Sequence, residues 1–132
     1  MTNPGIDFGQ TEIQAFNNAA AAGVVHYEEN AVRQAVQLYQ NAIDTLATLR
    51  LKLADVQEGS GYGGFQTGKE LQQGFADKAR SGIAVITQLI DGAMRLQEAY
   101  LRAGQLIDEA DKVNADRIKF VSDAGTTGGW PA

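Results

Sequence analysis

His26 stands two residues before Glu28 and three before Glu29. An imidazole beside two carboxylates is a candidate set of metal ligands. The same acids suit the positive end of a helix dipole, and a lone histidine beside them reads more simply as surface chemistry. Asp108, Glu109, Asp111 and Asp116 form an acidic run. Paired carboxylates do acid–base work only in a desolvated cleft. Here they fan around most of a helix and alternate with Lys112 and Arg117, as a solvated face does. The glycines between Gly59 and Gly64 suggest a phosphate-cradling loop. The Lys-Ser/Thr that would follow is missing, and Lys69 falls inside the start of the next helix. There is no cysteine, hence no disulfide and no thiolate metal site. With no nucleophile–base pair and no metal set, the chain reads as non-enzymatic and without a cofactor.

The elements that carry these residues are helical. Two long helix-period segments run up to and away from Ser60-Gly61-Tyr62-Gly63-Gly64-Phe65. Glycine permits positive φ at little steric cost, so this run ends one helix and reverses the chain at residues 59 to 66. Before it, Val32, Val36, Tyr39, Ile43, Leu46 and Leu53 follow four- and three-residue steps from about Glu28, with Arg50 interrupting the register. Ala35, Ala42, Leu49 and Val56 form a second stripe. After it, Thr67-x-x-Glu70 reads as a capping box. A heptad-type seam then runs from Phe75 through Ile86, Leu89, Leu96, Tyr100 and Ile107 to Asn114, predicting one helix from near Gly68 to Val121. Asn114 on that seam is either a buried polar residue that sets register or part of a frayed end.

Asp91–Arg95, Glu98–Arg102 and Asp108–Lys112 are acid-then-base pairs expected on its outer faces. Gly74, Gly82, Gly92 and Gly104 lie inside it, at a cost of about 1 kcal/mol each against alanine in an exposed interior. Close approach of a neighbouring helix explains such glycines, most simply at Gly82, and a bend is the rival. Near the N-terminus, Thr11-Glu12-Ile13-Gln14 reads as a capping box for a short helix over 12 to 22. The division is an N-terminal segment (1–27), a helical hairpin (28–121) and a tail (122–132). A hairpin pivoting near Tyr62 pairs Val32 with the neighbourhood of Ala93. The seam beyond needs a cover, either the segment bearing Ile13, Phe16 and Val24 or a second copy.

The 132 residues suggest one domain, 44% apolar, enough for a core. The net charge of -5, with basic and acidic residues interleaved, is not that of a nucleic-acid binder. No run approaches the ~18 apolar residues of a membrane span. Residues 1 to 10 lack the basic start and apolar run of a cleavable signal, so export is expected by a route that reads none.

Helix, Tyr62-Gly63-Gly64 turn and second helix resemble the WXG family of small helical-hairpin proteins of type VII secretion, in a divergent actinobacterial form. Tyrosine stands where that family has tryptophan, and the chain is longer at both ends. Leu71-Gln72-Gln73-Gly74-Phe75 and Met94-Arg95-Leu96-Gln97-Glu98-Ala99-Tyr100 add to the likeness, which covers roughly residues 28 to 120. The resemblance implies an all-α hairpin that pairs into a four-helix bundle dimer, export without a cleaved signal from a cytoplasmic pool, and no catalysis.

The turn residues Tyr62, Gly64 and Phe65 are either plugs on the core or a recognition patch. Ile83, Ile86, Leu89, Ile90, Leu96 and Tyr100 make a face too wide for one neighbouring helix, and so an expected interface with a second copy or another small helical protein. The expected function is that of a type VII secretion substrate or co-secreted partner that meets its partner and the secretion machinery through protein–protein contacts. The alternative is a cytosolic helical adaptor or chaperone for a larger secreted protein. Type VII substrates commonly carry Tyr-x-x-x-Asp/Glu after the second helix. Here Tyr27, Tyr39, Tyr62 and Tyr100 are followed four residues on by Ala31, Ile43, Gln66 and Gly104. A partner chain is therefore expected to supply the motif.

Overall fold

A computed structural model of the chain describes residues 6–59 and 63–126. Among the described residues all regular structure is helical, as the periodicity requires. The elements are α1 (Gln10–Ala21), α2 (Glu29–Gln57), α3 (Gln66–Ala103) and α4 (Ile107–Thr126). α3 is the axis, and α1, α2 and α4 each pack on it. None of these helices is long and apolar enough to cross a membrane.

The helix starts follow from specific acceptors. Asp7, rather than Thr11, begins α1: its backbone carbonyl accepts from the Gln10 N–H at 3.0 Å and its carboxylate from the Thr11 N–H at 3.1 Å. Glu28 caps α2, its carboxylate accepting from the Asn30 and Ala31 N–H groups at 3.1 and 3.3 Å. An acid there also meets the positive end of the helix dipole. The expected Thr67–Glu70 box does not form. α3 starts two residues earlier than near Gly68, after Phe65, which makes no side-chain cap bond, and Glu70 accepts instead from the Gln66 amide at 3.2 Å.

α2 runs antiparallel to α3. At one end Leu53 lies against Gly82, where a Cβ would come within 2.9 Å of its Cδ1. At the other, Val32 lies against Gly104. The spans 32–53 and 82–104 are nearly equal, so the two helices stay alongside for about 30 Å. The register differs from a pivot at Tyr62: Val32 meets Gly104, not the neighbourhood of Ala93. The first three or so turns of α3 consequently run past the end of α2. There the Gln72 amide donates to the Gly59 carbonyl at 2.6 Å.

The expected single helix to Val121 is broken. Gln105 has φ 61. Its N–H donates to the Arg102 carbonyl at 3.0 Å, and the Leu106 N–H to the Leu101 carbonyl at 2.8 Å. That pair of bonds is a Schellman stop with Gln105 in the left-handed position. Leu106 packs against the cluster of Val32, Leu101 and Ala110, the apolar contact that goes with such a stop. Gly104 just before it has φ -88 and needs no left-handed freedom. It is glycine because a Cβ would come within 2.9 Å of Val32 Cγ2. Close approach and a bend were alternatives for the interior glycines, and at Gly104 they coincide. The Ala103 carbonyl, orphaned by the stop, accepts from the Tyr27 N–H at 2.8 Å. α4 then returns along α3 and continues through residues 122–126, which were expected to be tail.

Two stability predictions follow from this stop. Gln105→Gly relieves the left-handed strain and raises stability by about 0.5–1 kcal/mol in urea unfolding. Gly104→Ala overpacks Val32 and costs about 1–3 kcal/mol, and the cost shrinks in a Val32→Ala background, which a double-mutant cycle measures.

Candidate functional site

Polar chemistry gathers where α1 and α4 meet α3. Asp91 was expected on an outer face as half of a pair with Arg95. It is instead 4% exposed. Its carboxylate accepts from Arg95 at 3.1 Å, from Arg117 of α4 at 3.0 Å and from Gln10 of α1 at 3.4 Å. Arg117 also donates to Asn114 at 3.2 Å, which gives the seam asparagine a partner. Glu98, 6% exposed, accepts from Arg102 at 2.8 Å, and Arg102 reaches Asp111 on α4 at 3.1 Å. The expected Asp108–Lys112 pair is replaced by Lys112–Asp116 at 3.0 Å.

These buried ions staple three helices together. An open polar cleft of about 630 Å³ lies between α1 and α3, but Asp91 and Arg95 in its walls are committed to each other. The i, i+4 spacing made Arg95 and Arg102 visible in the sequence. Arg117, Gln10 and Asp111 were missed because they arrive only once the chain folds back.

An aromatic cluster closes the other side. Phe16 of α1 meets Tyr100 edge-on at 5.0 Å between centroids, and Tyr27 and Tyr39 stand 5.8 and 5.9 Å from Tyr100. Burial holds the Tyr100 phenol above its ordinary value, and the Tyr39 and Tyr27 hydroxyls add to the shift. Of the two covers considered for the seam beyond the neighbourhood of Ala93, this chain's own α1 is in place, through Phe16 at Tyr100 and through Ile13, which approaches Gly92. Val24 is 78% exposed and takes no part.

The expected interface residues divide. Ile83, Ile86 and Ile90 are buried within this one chain. The physical reason is the fold-back: the wide face that seemed to need a second chain is shared among α2, α4 and α1. Leu96 and Tyr100 are half-buried, and Leu89 is 38% exposed. At the turn, Phe65 is 85% exposed and plugs no core in this chain. Gly64 does not have the positive φ expected of a strained turn position, which falls at Gly63 with φ 89. Tyr62 lies outside the described residues.

The groove between α2 and α3 has two sides. α4 covers one, with Arg33 of α2 bonded to Glu109 of α4 at 3.0 Å and Arg117 of α4 to Asp91 of α3. On the opposite side the aromatic cluster fills one end. Beyond it, Leu49 and Val56 on α2 and Val85 and Leu89 on α3 are all about 40–46% exposed or close to it, at 46, 41, 41 and 38%. Helical periodicity puts the first two beside Leu53 and the last two beside Gly82, the residues that touch across the groove. They therefore form one apolar strip.

The other candidates stay on the surface. His26 is exposed, and among the described residues no group of three or more His, Cys, Asp or Glu side chains is placed to hold a metal ion. Asp108, Glu109, Asp111 and Asp116 are all exposed. No family model matches the chain, and no curated protein or solved structure matches it.

Removing one partner of a buried ion pair strands the other. Asp91→Ala is therefore expected to cost about 3–5 kcal/mol, whereas Glu109→Ala at the solvent-screened Arg33 pair is expected to leave the denaturant midpoint nearly unchanged. Tyr100 adds a pH dependence. Its folded phenol keeps its proton to higher pH than the unfolded one, so its contribution is complete below the ordinary value of 10.0 and lost as pH rises through the folded value. Tyr100→Phe is expected to make the alkaline decline in stability shallower.

Proposed function

We propose that this chain is a type VII secretion substrate or co-secreted partner of the WXG type. It is non-enzymatic, leaves the cell without a cleaved signal, and acts by pairing with another helical protein. The observation that carries the reading is the exposed apolar strip of Leu49, Val56, Val85 and Leu89 on two long antiparallel helices joined through Tyr62-Gly63-Gly64. Single exposed apolar residues are ordinary, whereas a continuous strip on two helices marks an interaction surface. In this reading α2 and α3 supply two helices of a four-helix assembly, and the partner supplies the other two.

The tyrosine spacings support export in company. No tyrosine is followed four residues later by an acid, so the pairing partner brings the recognition motif. Expression in a secreting host with and without a neighbouring small helical gene tests this. Secretion that depends on the neighbour is expected. Equal secretion in both cases, abolished by removing residues 120–132, means the chain carries its own signal. Retention in the cytoplasm in both cases favours an adaptor for a larger secreted protein.

A further inference from the structure

The apolar strip has a charge character unlike that of the whole chain. The protein carries 16 acids against 11 Lys and Arg. Around the strip the balance inverts. By helical periodicity Lys78 falls on it, between Leu71 and Val85, and Lys52 sits on its edge beside Leu49 and Val56. Both lysines are exposed, and neither makes an ion pair among the described residues. The neighbouring acids point elsewhere. Asp44 lies around α2 from the strip, Asp55 stands one turn from Lys52 on the side away from the strip, and Asp77 lies around the far side of α3, bonded to Arg80 at 3.0 Å.

From this we infer that the strip is a docking groove for an amphipathic helix with acidic flanks, supplied by a partner other than a second copy of this chain. The inference rests on the pairing role proposed above and specifies the partner's chemistry. The two-helix groove runs from Leu89 to about Lys78, where α2 ends, which is about 17 Å or three turns of a partner helix, and the apolar edge of α3 continues alone to Leu71. The aromatic cluster and α1 stop the groove at one end, so the partner helix seats below α1 and in line with it. Apolar positions at i, i+3, i+4 and i+7 meet Leu49, Val56, Val85 and Leu89, and glutamates on the flanks meet Lys52 and Lys78. Two copies docked through this strip would bring four lysines together. Charge therefore opposes self-pairing at this surface.

The test uses the full chain, purified, with two labelled 18-residue helical peptides of the same leucine pattern, one flanked by glutamates and the other by lysines. Fluorescence anisotropy at physiological salt reads binding. The glutamate peptide is expected to bind at least ten-fold more tightly than the lysine peptide. Lys52→Glu with Lys78→Glu is expected to reverse that preference, and Leu89→Asp to abolish binding of both. The lysines are exposed, so an unchanged circular-dichroism melt keeps the charge-reversal variant interpretable even if Leu89→Asp unfolds.

Equal binding of the two peptides, or binding of neither, overturns the proposal. So does a stable dimer at ~100 µM in light scattering that Leu89→Asp dissociates, because a second copy then occupies the groove. These readouts use purified protein, so they fail or succeed separately from the secretion experiment. Loss of peptide binding with partner-dependent export intact removes this groove and keeps the export role.

Discussion

The approach of Val32 to the backbone of Gly104 decides what the rest of the chain can do. A side chain at position 104 would meet Val32 Cγ2 at 2.9 Å. Without one, α2 closes onto the end of α3 and the cluster of Val32, Leu101 and Ala110 forms beneath Leu106. The Schellman stop at Gln105 then has its apolar contact ready made, and α4 turns back instead of running on. Every later feature depends on that reversal. It brings Arg117 to Asp91 and Glu109 to Arg33, and it buries a face of α3 that a straight helix would expose.

The electrostatic contacts differ in kind, and their burial separates them. Arg33–Glu109 is bidentate, but both side chains are about half exposed, so solvent screens most of its attraction. Asp91–Arg117 has side chains only 6% and 14% exposed. There the desolvation cost is large and the attraction roughly offsets it, so the pair adds little net stability while punishing the loss of either partner. Its contribution is specificity: α4 can lie along α3 in only one register that leaves no buried charge alone. Gln97 acts similarly toward α2, donating to the Val36 carbonyl and the Gln40 side chain at 3.1 Å each.

The all-helical class was legible because apolar steps of three and four residues run through most of the chain. The reversal after Gln57 was legible because glycines cluster there. The break at Gly104 was hidden for a physical reason. Tyr100, Ala103, Ile107, Ala110 and Asn114 keep the same period across it, since a short Schellman turn preserves which residues are apolar while changing where they point. The same error moved Ile83, Ile86 and Ile90 from an intermolecular face to an internal one. Asp91 and Glu98 looked like surface charges because acid-then-base spacing is what solvated helix faces show. Only the arrival of α4 distinguishes the two cases, and no local pattern announces it. The strip of Leu49, Val56, Val85 and Leu89 was half visible, as the second stripe of α2 and the edge of the α3 seam. Which side of the α2–α3 pair stays open depends on where α4 lands.

The functional reading follows from that choice of side. With α4 on one face of the α2–α3 groove and α1 over one end of the other, the strip of Leu49, Val56, Val85 and Leu89 stays exposed among the described residues, and the proposed pairing uses it. The claim that α4 folds back is therefore central. The chain has no cysteine, so spin labels go onto cysteines introduced at Leu89 and Lys119 without competition. Both positions are exposed. Pulsed dipolar spectroscopy between them measures the reversal directly. Packed antiparallel helices lie 8–10 Å apart between axes and both labels project outward, so a label separation of roughly 30 Å or less is predicted. A helix running straight through Gly104 would place the same labels about 45 Å apart, and that distance would contradict the account.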